Sequence, residues 1–135
     1  MSLKGTTDIN RYASYVSVLS CALLISCAQD TGSRQYKLTT YSKNGEISSA
    51  GIIYLPSRLD TQYKGDCKWK ENSAEITPCY VEIAKAEIHI NLDPSWNDAN
   101  RMLSGNIKNN SAKGISEYHS YGGIQRTGTF ELTNK

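Results

Sequence analysis

The sequence predicts an all-β protein, a single antiparallel meander of about eight short strands closed into a small barrel. Apolar and polar residues alternate over several short segments, and Gly, Asn, Asp and Pro separate those segments. Tyr is far more frequent than Trp or Phe, and no segment has the periodicity of an amphipathic helix. Closure would remove exposed strand edges, and a two-sheet β-sandwich is the alternative.

The first half of the domain contains four predicted strands, over residues 35–42, 48–55, 63–70 and 75–83. Asn44-Gly45 is a strong signal for a hairpin between the first two. The third alternates most regularly, with Tyr63, Cys67 and Trp69 on one face. Pro78 indicates an edge or a bulge in the fourth.

The second half predicts strands over residues 87–92, 103–107, 114–120 and 124–133, the last two forming a hairpin. The interval 93–102 is expected to hold one helical turn, with Pro94 at its first position. Residues 103–107 and 128–132 resemble the closing strands of calycin-like or avidin-like barrels. That resemblance covers only about 30 residues and implies a barrel rather than a specific ligand.

Cys67 and Cys79 are predicted to form a disulfide. A hairpin that turns at residues 71–75, with its register centred on Ser73, places the two cysteines directly opposite each other. Cα atoms of paired strands lie within the range that a disulfide bridges. Closing so short a loop contributes about 3 kcal/mol in the chain-entropy account.

The amino-terminal segment has the features of an export signal. Lys4 and Arg11 precede an apolar run over residues 13–26, which is too short to cross a bilayer comfortably as a helix. Two alternatives are ordinary cleavage after Ala28 and a role for residues 13–26 in the fold itself.

Leu24-Ile25-Ser26-Cys27 resembles the lipobox of bacterial lipoproteins. The resemblance implies that the Cys27 thiol receives a diacylglyceryl group, that residues 1–26 are removed as a signal peptide, and that the new amino terminus is acylated. Residues 27–34 then form a tether to a β-domain over residues 35–135. Several acyl chains anchor a protein stably to a membrane. Ala28, in place of Asp, implies the outer membrane, facing the periplasm, in a Gram-negative host.

Net charge and motif content exclude several function classes. The formal charge is +2, so we expect no nucleic-acid partner and no electrostatic attraction to anionic lipid. No G-x-S-x-G elbow is present, and His89 and His119 alternate opposite apolar positions, which predicts that they face solvent. We therefore expect neither an enzyme nor a cofactor.

The loop from Asp93 to Asn100 carries the strongest candidate for binding. Asp93, Ser95 and Asn97 match the first ligands of a calcium loop, but the required Gly and bidentate Glu are absent, so no metal site is expected. Trp96, beside Asp93 and Asn97, predicts a surface that stacks on a sugar or anchors a protein. Alternatively, Trp96 plugs the end of the barrel.

Arg126 is a second candidate, because it shares a strand face with Ile124, Phe130 and Leu132. An inward arginine could bind a ligand carboxylate or stack on Trp69. A bulge at Gly128 would instead place Arg126 outside.

These features together predict a membrane-anchored, extracytoplasmic binding module for a protein partner or a small ligand. The modest number of large aliphatic residues predicts a filled interior, which favours a protein partner. The alternative is a structural or assembly lipoprotein of the cell envelope that binds no ligand.

Overall fold

The computed structural model describes residues 32–72 and 74–135, and the predicted signal peptide (1–26) and lipidation site Cys27 lie outside them. The described residues form an eight-stranded barrel in which each strand pairs antiparallel with the next and the last pairs with the first. The predicted closed meander is confirmed, and the β-sandwich alternative is wrong. The strands are β1 Ser33–Ser42, β2 Ile47–Pro56, β3 Tyr63–Glu71, β4 Thr77–Ala84, β5 Glu87–Asn91, β6 Ala99–Lys108, β7 Ser111–Ser120 and β8 Gly123–Asn134.

The expected helical turn between β5 and β6 is wrong. No described residue is helical, so this part of the chain contains no helix capable of crossing a membrane. A turn in which the Trp96 amide donates to the Asp93 carbonyl (3.2 Å) occupies part of the interval. Strand β6 begins at Ala99, four residues before the predicted start, because residues 99–102 pair with residues 117–120 of β7.

Two connections are two-residue turns whose residues both have positive φ, namely Lys85-Ala86 (52° and 63°) and Asn109-Asn110 (53° and 56°). Such turns match the right-handed twist of the strands they join. Asn tolerates this backbone region well, whereas Lys and Ala do not. The Lys85-Ala86 turn is therefore held by the pairing of β4 with β5 rather than by local preference.

The core fills the barrel with the inward side chains of all eight strands and with Leu59 and Leu92 from the loops. Alternation places these side chains on the concave face, as the sequence predicts. Every member of this cluster lies between Tyr36 and Leu132, so the core of the described residues is built within the barrel. The buried apolar residues are Tyr36, Leu38, Ile53, Leu55, Leu59, Cys67, Trp69, Cys79, Val81, Ile83, Ile88, Ile90, Leu92, Leu103, Ala112, Phe130 and Leu132.

The predicted disulfide between Cys67 and Cys79 is confirmed. The two residues are direct partners in the β3–β4 register, with their Cα atoms 4.8 Å apart. Pro78 pairs with Lys68 of β3, whereas the pairing of β4 with β5 extends only to Tyr80. Pro78 therefore lies where β4 has no neighbour on the β5 side, which is a position that tolerates proline.

The two ends of the barrel differ. We call the end with Ser33 and the connections 57–62, 85–86 and 109–110 the closed end. Leu59 is fully buried there, and its amide donates to Asn110 Oδ1 (2.7 Å). Asn110 Nδ2 also donates to the Tyr36 hydroxyl (3.1 Å). Burial of this hydroxyl raises the pKa of Tyr36. These bonds seal this end.

The opposite end carries the connections 43–46, 72–76, 92–98 and 121–122, and we call it the open end. It lies over a small interior cavity that the core does not fill. The predicted binding loop, with Trp96, belongs to this end, so the candidate site is built there.

Candidate binding site at the open end

Arg101 of β6 organises the open end. Its Nε and Nη2 atoms donate to the two carboxylate oxygens of Asp93, each at 2.9 Å, and its backbone amide donates to the same side chain. The guanidinium lies 4.9 Å from the ring centroid of Trp69, and Nη1 is 3.7 Å from a Glu71 oxygen. The hydrogen bonds to Asp93 raise the pKa of Arg101, so this cation is permanently charged.

Hydrogen bonds to buried neighbours hold the base of the 92–98 loop. Trp69 Nε1 donates to the Leu92 carbonyl (3.2 Å), and the Leu92 amide donates to the Arg101 carbonyl (2.9 Å). The Asp93 amide donates to Asn91 Oδ1 (2.9 Å). Both stems of the loop are thus fixed, so the side chains at its tip are presented by a rigid support.

Trp96 stands at the tip of this loop with 64% of its surface exposed, so the alternative that it plugs the barrel is wrong. A surface pocket of about 260 Å³ lies between this loop and the β3–β4 connection, lined in part by Trp96, Pro94, Pro78 and Arg101. An exposed indole beside a pocket on a rigid loop can anchor an apolar or aromatic group of a partner.

The other two predicted residues of the loop have different surroundings. Asp93 is largely covered, with 18% of its side chain exposed, and its carboxylate is engaged by Arg101. It shapes the loop rather than offering a free carboxylate to a ligand. Asn97 is exposed beside Trp96 and is available to a binding partner.

Hydroxyl groups line the interior cavity at this end, which has a volume of about 250 Å³. Thr40 Oγ1 bonds to Ser49 Oγ (2.7 Å), and Ser116 Oγ bonds to Thr127 Oγ1 (2.9 Å). Arg101 and Glu71 line both this cavity and the surface pocket. The cavity therefore offers hydroxyl groups that can hydrogen-bond a small polar group, beside the apolar walls of Leu92, Leu103 and Tyr118.

Arg126 faces solvent, so the inward interpretations of this residue are wrong. The β7–β8 register shifts between Ser116 and Glu117, which leaves Thr127 as an extra residue on β8. This bulge lies beside Gly128, and because of it the side chains that precede it on β8 point to the opposite face of the sheet from the one that simple alternation predicts. Arg126 is exposed and pairs in register with Glu117. The arginine that stacks on Trp69 is Arg101, which sequence reasoning did not select.

Exposed apolar side chains concentrate at the open end. The barrel has seven large hydrophobic residues that are exposed in the described chain, and six belong to this end. Only Tyr63 lies at the closed end. The six are Ile47, Ile76, Trp96, Tyr118, Tyr121 and Ile124, and we call them the apolar rim.

Within residues 32–72 and 74–135, no three His, Cys, Asp or Glu side chains are grouped as metal ligands. No family model, curated protein or solved structure matches the chain. The open end is where the described barrel combines a braced loop, two small pockets and exposed apolar side chains.

Proposed function

We propose that the protein is a lipid-anchored, extracytoplasmic binding module that captures a protein partner at the open end of its barrel. The concentration of the apolar rim at one end carries this proposal. Exposed apolar side chains are scattered singly on most surfaces, whereas a set collected in one region marks an interaction site. Trp96 is the expected anchor, because Arg101 and Asp93 hold its loop in place before binding.

The charge of the open end favours a partner that presents basic as well as apolar side chains. Its connections, together with the last three residues of each strand, carry five acidic and three basic side chains. One of the basic groups, Arg101, is already bound to Asp93 and lies near Glu71. Complementary charge on the partner would speed association and fix its orientation.

At the open end, pocket size favours a protein over a small molecule. The surface pocket and the interior cavity measure about 260 and 250 Å³, and typical small-molecule sites begin at about 300 Å³. The hydroxyl groups of the cavity support a second candidate function, the binding of a small polar ligand. Thr40→Val with Ser116→Ala would abolish binding of such a ligand and leave protein capture intact.

The anchor and the compartment rest on different observations. The resemblance of Leu24-Ile25-Ser26-Cys27 to a lipobox supports acylation at Cys27. The Cys67–Cys79 disulfide supports an oxidising compartment, because cytosolic thiols are kept reduced. We place the protein in the cell envelope, with its barrel facing the periplasm from the outer membrane.

Intact-mass spectrometry on protein from the membrane fraction of the native host tests the anchor. We expect a chain that begins at Cys27 and carries acyl groups, and Cys27→Ala should leave an unacylated, uncleaved protein. A wild-type chain that retains residues 1–26 without acyl groups would refute the anchor.

Matched aromatic substitutions test the binding surface. Partners are first co-purified from solubilised envelope, and the affinity of the main one is then measured for Trp96→Ala and Tyr63→Ala. Trp96→Ala should weaken binding by about 30-fold, as expected for a hot spot worth about 2 kcal/mol. Tyr63→Ala removes an exposed aromatic at the opposite end and should change the affinity less than twofold. Equal effects of the two variants would refute the assignment of the open end.

A further inference from the structure

The near-neutral net charge conceals a separation of charge along the barrel axis. The connections and the last three residues of each strand at the closed end carry seven basic and three acidic side chains. The same regions of the open end carry three basic and five acidic ones. The basic residues of the closed end are Arg34, Arg58, Lys64, Lys85, Lys108, Lys113 and Lys135.

A groove of about 620 Å³ crosses the closed end, and Arg34, Arg58 and Lys108 are among its lining residues. Arg58 is paired with Asp60 at 2.6 Å. Among the described residues, no carboxylate lies within 4.0 Å of the charged groups of Arg34 or Lys108. The groove thus offers two cations and the exposed side chain of Asn109 to an incoming anion, whereas the Asn110 amide is already hydrogen-bonded to Leu59 and Tyr36.

The closed end is also where the chain enters the barrel, at Ser33. Cys27 precedes Ser33 by six residues, which span at most about 20 Å when fully extended. An acyl group on Cys27 would therefore keep the closed end within about 20 Å of the lipid headgroups. This step rests on the anchor of the proposed function.

We propose that the closed end is a docking surface for an anionic phospholipid bilayer, with a headgroup phosphate in the groove between Arg34 and Lys108. The positive charge of this end complements the negative lipid surface, and the point of chain entry selects the same end. The acidic open end and its apolar rim then point away from the membrane, toward soluble partners. The expectation that the protein has no electrostatic attraction to anionic lipid follows from net charge and ignores this separation.

Vesicle sedimentation with the isolated barrel, residues 32–135, tests the docking surface. This segment contains every buried apolar residue of the described chain and lacks Cys27, so binding would report on the barrel surface alone. We expect binding to phosphatidylcholine vesicles that contain about 30% phosphatidylglycerol, none to pure phosphatidylcholine, and release at 0.5 M NaCl.

Two variants that each remove three positive charges show whether binding depends on where the charges lie or only on the net charge. Arg34→Ala/Lys85→Ala/Lys108→Ala removes three cations from the closed end. Because each basic residue near an anionic surface contributes about fivefold, partitioning should fall by about a hundredfold. The control, Lys43→Ala/Lys70→Ala/Arg126→Ala, removes three cations from strands and loops toward the open end and should change partitioning less than threefold.

Several outcomes would overturn the proposal. Equal losses in the two variants, with both folded by circular dichroism, would show that only net charge matters. Equal binding to both vesicle types would exclude an electrostatic surface. Complete displacement by 5 mM inorganic phosphate at constant ionic strength would assign the groove to free phosphate. Binding to an oligonucleotide without binding to vesicles would assign the end to nucleic acid.

The result is separable from the proposed function. Trp96→Ala should leave vesicle binding unchanged, because Trp96 lies at the opposite end. Native protein that carries no acyl groups would refute the anchor but would not affect the vesicle binding of the isolated barrel. Conversely, a barrel that does not bind vesicles would not affect the proposal that the open end captures a protein partner.

Discussion

Replacing Arg101 by alanine should destabilise the barrel far more than replacing Arg58, although each guanidinium donates two hydrogen bonds to one aspartate. The Arg58–Asp60 pair is solvent-exposed, with 74% and 61% of the side chains accessible. In the Arg101–Asp93 pair the values are 41% and 18%, and the guanidinium also stacks on Trp69. The two pairs share the same two-point contact and differ in burial and in the stacking on Trp69, so they form a matched comparison.

The expected magnitudes follow from these surroundings. Hydrogen bonds to charged groups contribute about 1.5–3 kcal/mol when shielded, and the partial exposure of Arg101 reduces this to about 2 kcal/mol for the pair. The stacking on Trp69 adds about 0.5 kcal/mol at such a site. We therefore expect Arg101→Ala to cost about 2–3 kcal/mol of unfolding free energy. Arg58→Ala should leave the free energy of unfolding close to that of the wild type, as for most exposed ion pairs.

Urea unfolding followed by tryptophan fluorescence measures both values, and equal m-values would show that the same surface unfolds. A loss of 2–3 kcal/mol corresponds to a fall of roughly 10–20 °C in Tm for a domain of this size. Arg101→Lys keeps the charge without the planar fork and should fall between wild type and Arg101→Ala. Losses for Arg101→Ala and Arg58→Ala that agree within 0.5 kcal/mol would refute the claim that Arg101 braces the open end.

Four further variants test the barrel itself. Cys67→Ser/Cys79→Ser should lower the free energy of unfolding by about 3 kcal/mol, measured by urea titration without reductant; no loss would contradict the chain-entropy account. Because burial raises the pKa of Tyr36, the folded state holds that proton more tightly than the unfolded chain, so stability should fall as pH rises past about 10. The wild type should therefore lose stability relative to Tyr36→Phe between pH 8 and pH 11, and a constant difference between them would argue against the shift. Ala86→Gly should raise Tm by several degrees, because it relieves a positive φ of 63°, and a lower Tm would contradict the turn geometry. Gly128→Ala should cost more than about 2 kcal/mol, since a Cβ at this position would collide with the Tyr41 carbonyl across the β1–β8 pairing, and a neutral effect would exclude that close approach.

The strands and the disulfide could be predicted because their signals are local. Alternation over a few residues identifies a half-buried strand, and a hairpin fixes the register that brings Cys67 and Cys79 together. The early start of β6 could not be predicted in this way. Apolar and polar residues do not alternate over residues 99–102, and these residues form a strand because they pair with β7.

The site was harder to predict than the fold, since it is assembled by non-local contacts. Trp96 could be selected because an aromatic residue in a polar loop is a local signal. Arg126 has a local pattern that predicts an inward side chain, but the bulge beside Gly128 reverses it. Arg101 gives no such signal, because its role depends on two contacts that no local pattern shows. Asp93 reaches it from the β5–β6 connection, and Trp69 reaches it from β3. The separation of charge between the two ends could likewise not be predicted without knowing the order of the strands in the barrel.

Photo-crosslinking in the native host tests the account most directly. A photoreactive phenylalanine analogue is incorporated at Asn97, beside the intact Trp96, in one strain and at Lys85 in another, and both strains are irradiated as intact cells. We expect a discrete protein adduct from Asn97 at the open end, and lipid adducts without that protein from Lys85 at the closed end. The same protein adduct from both positions, or lipid adducts from Asn97, would contradict this arrangement.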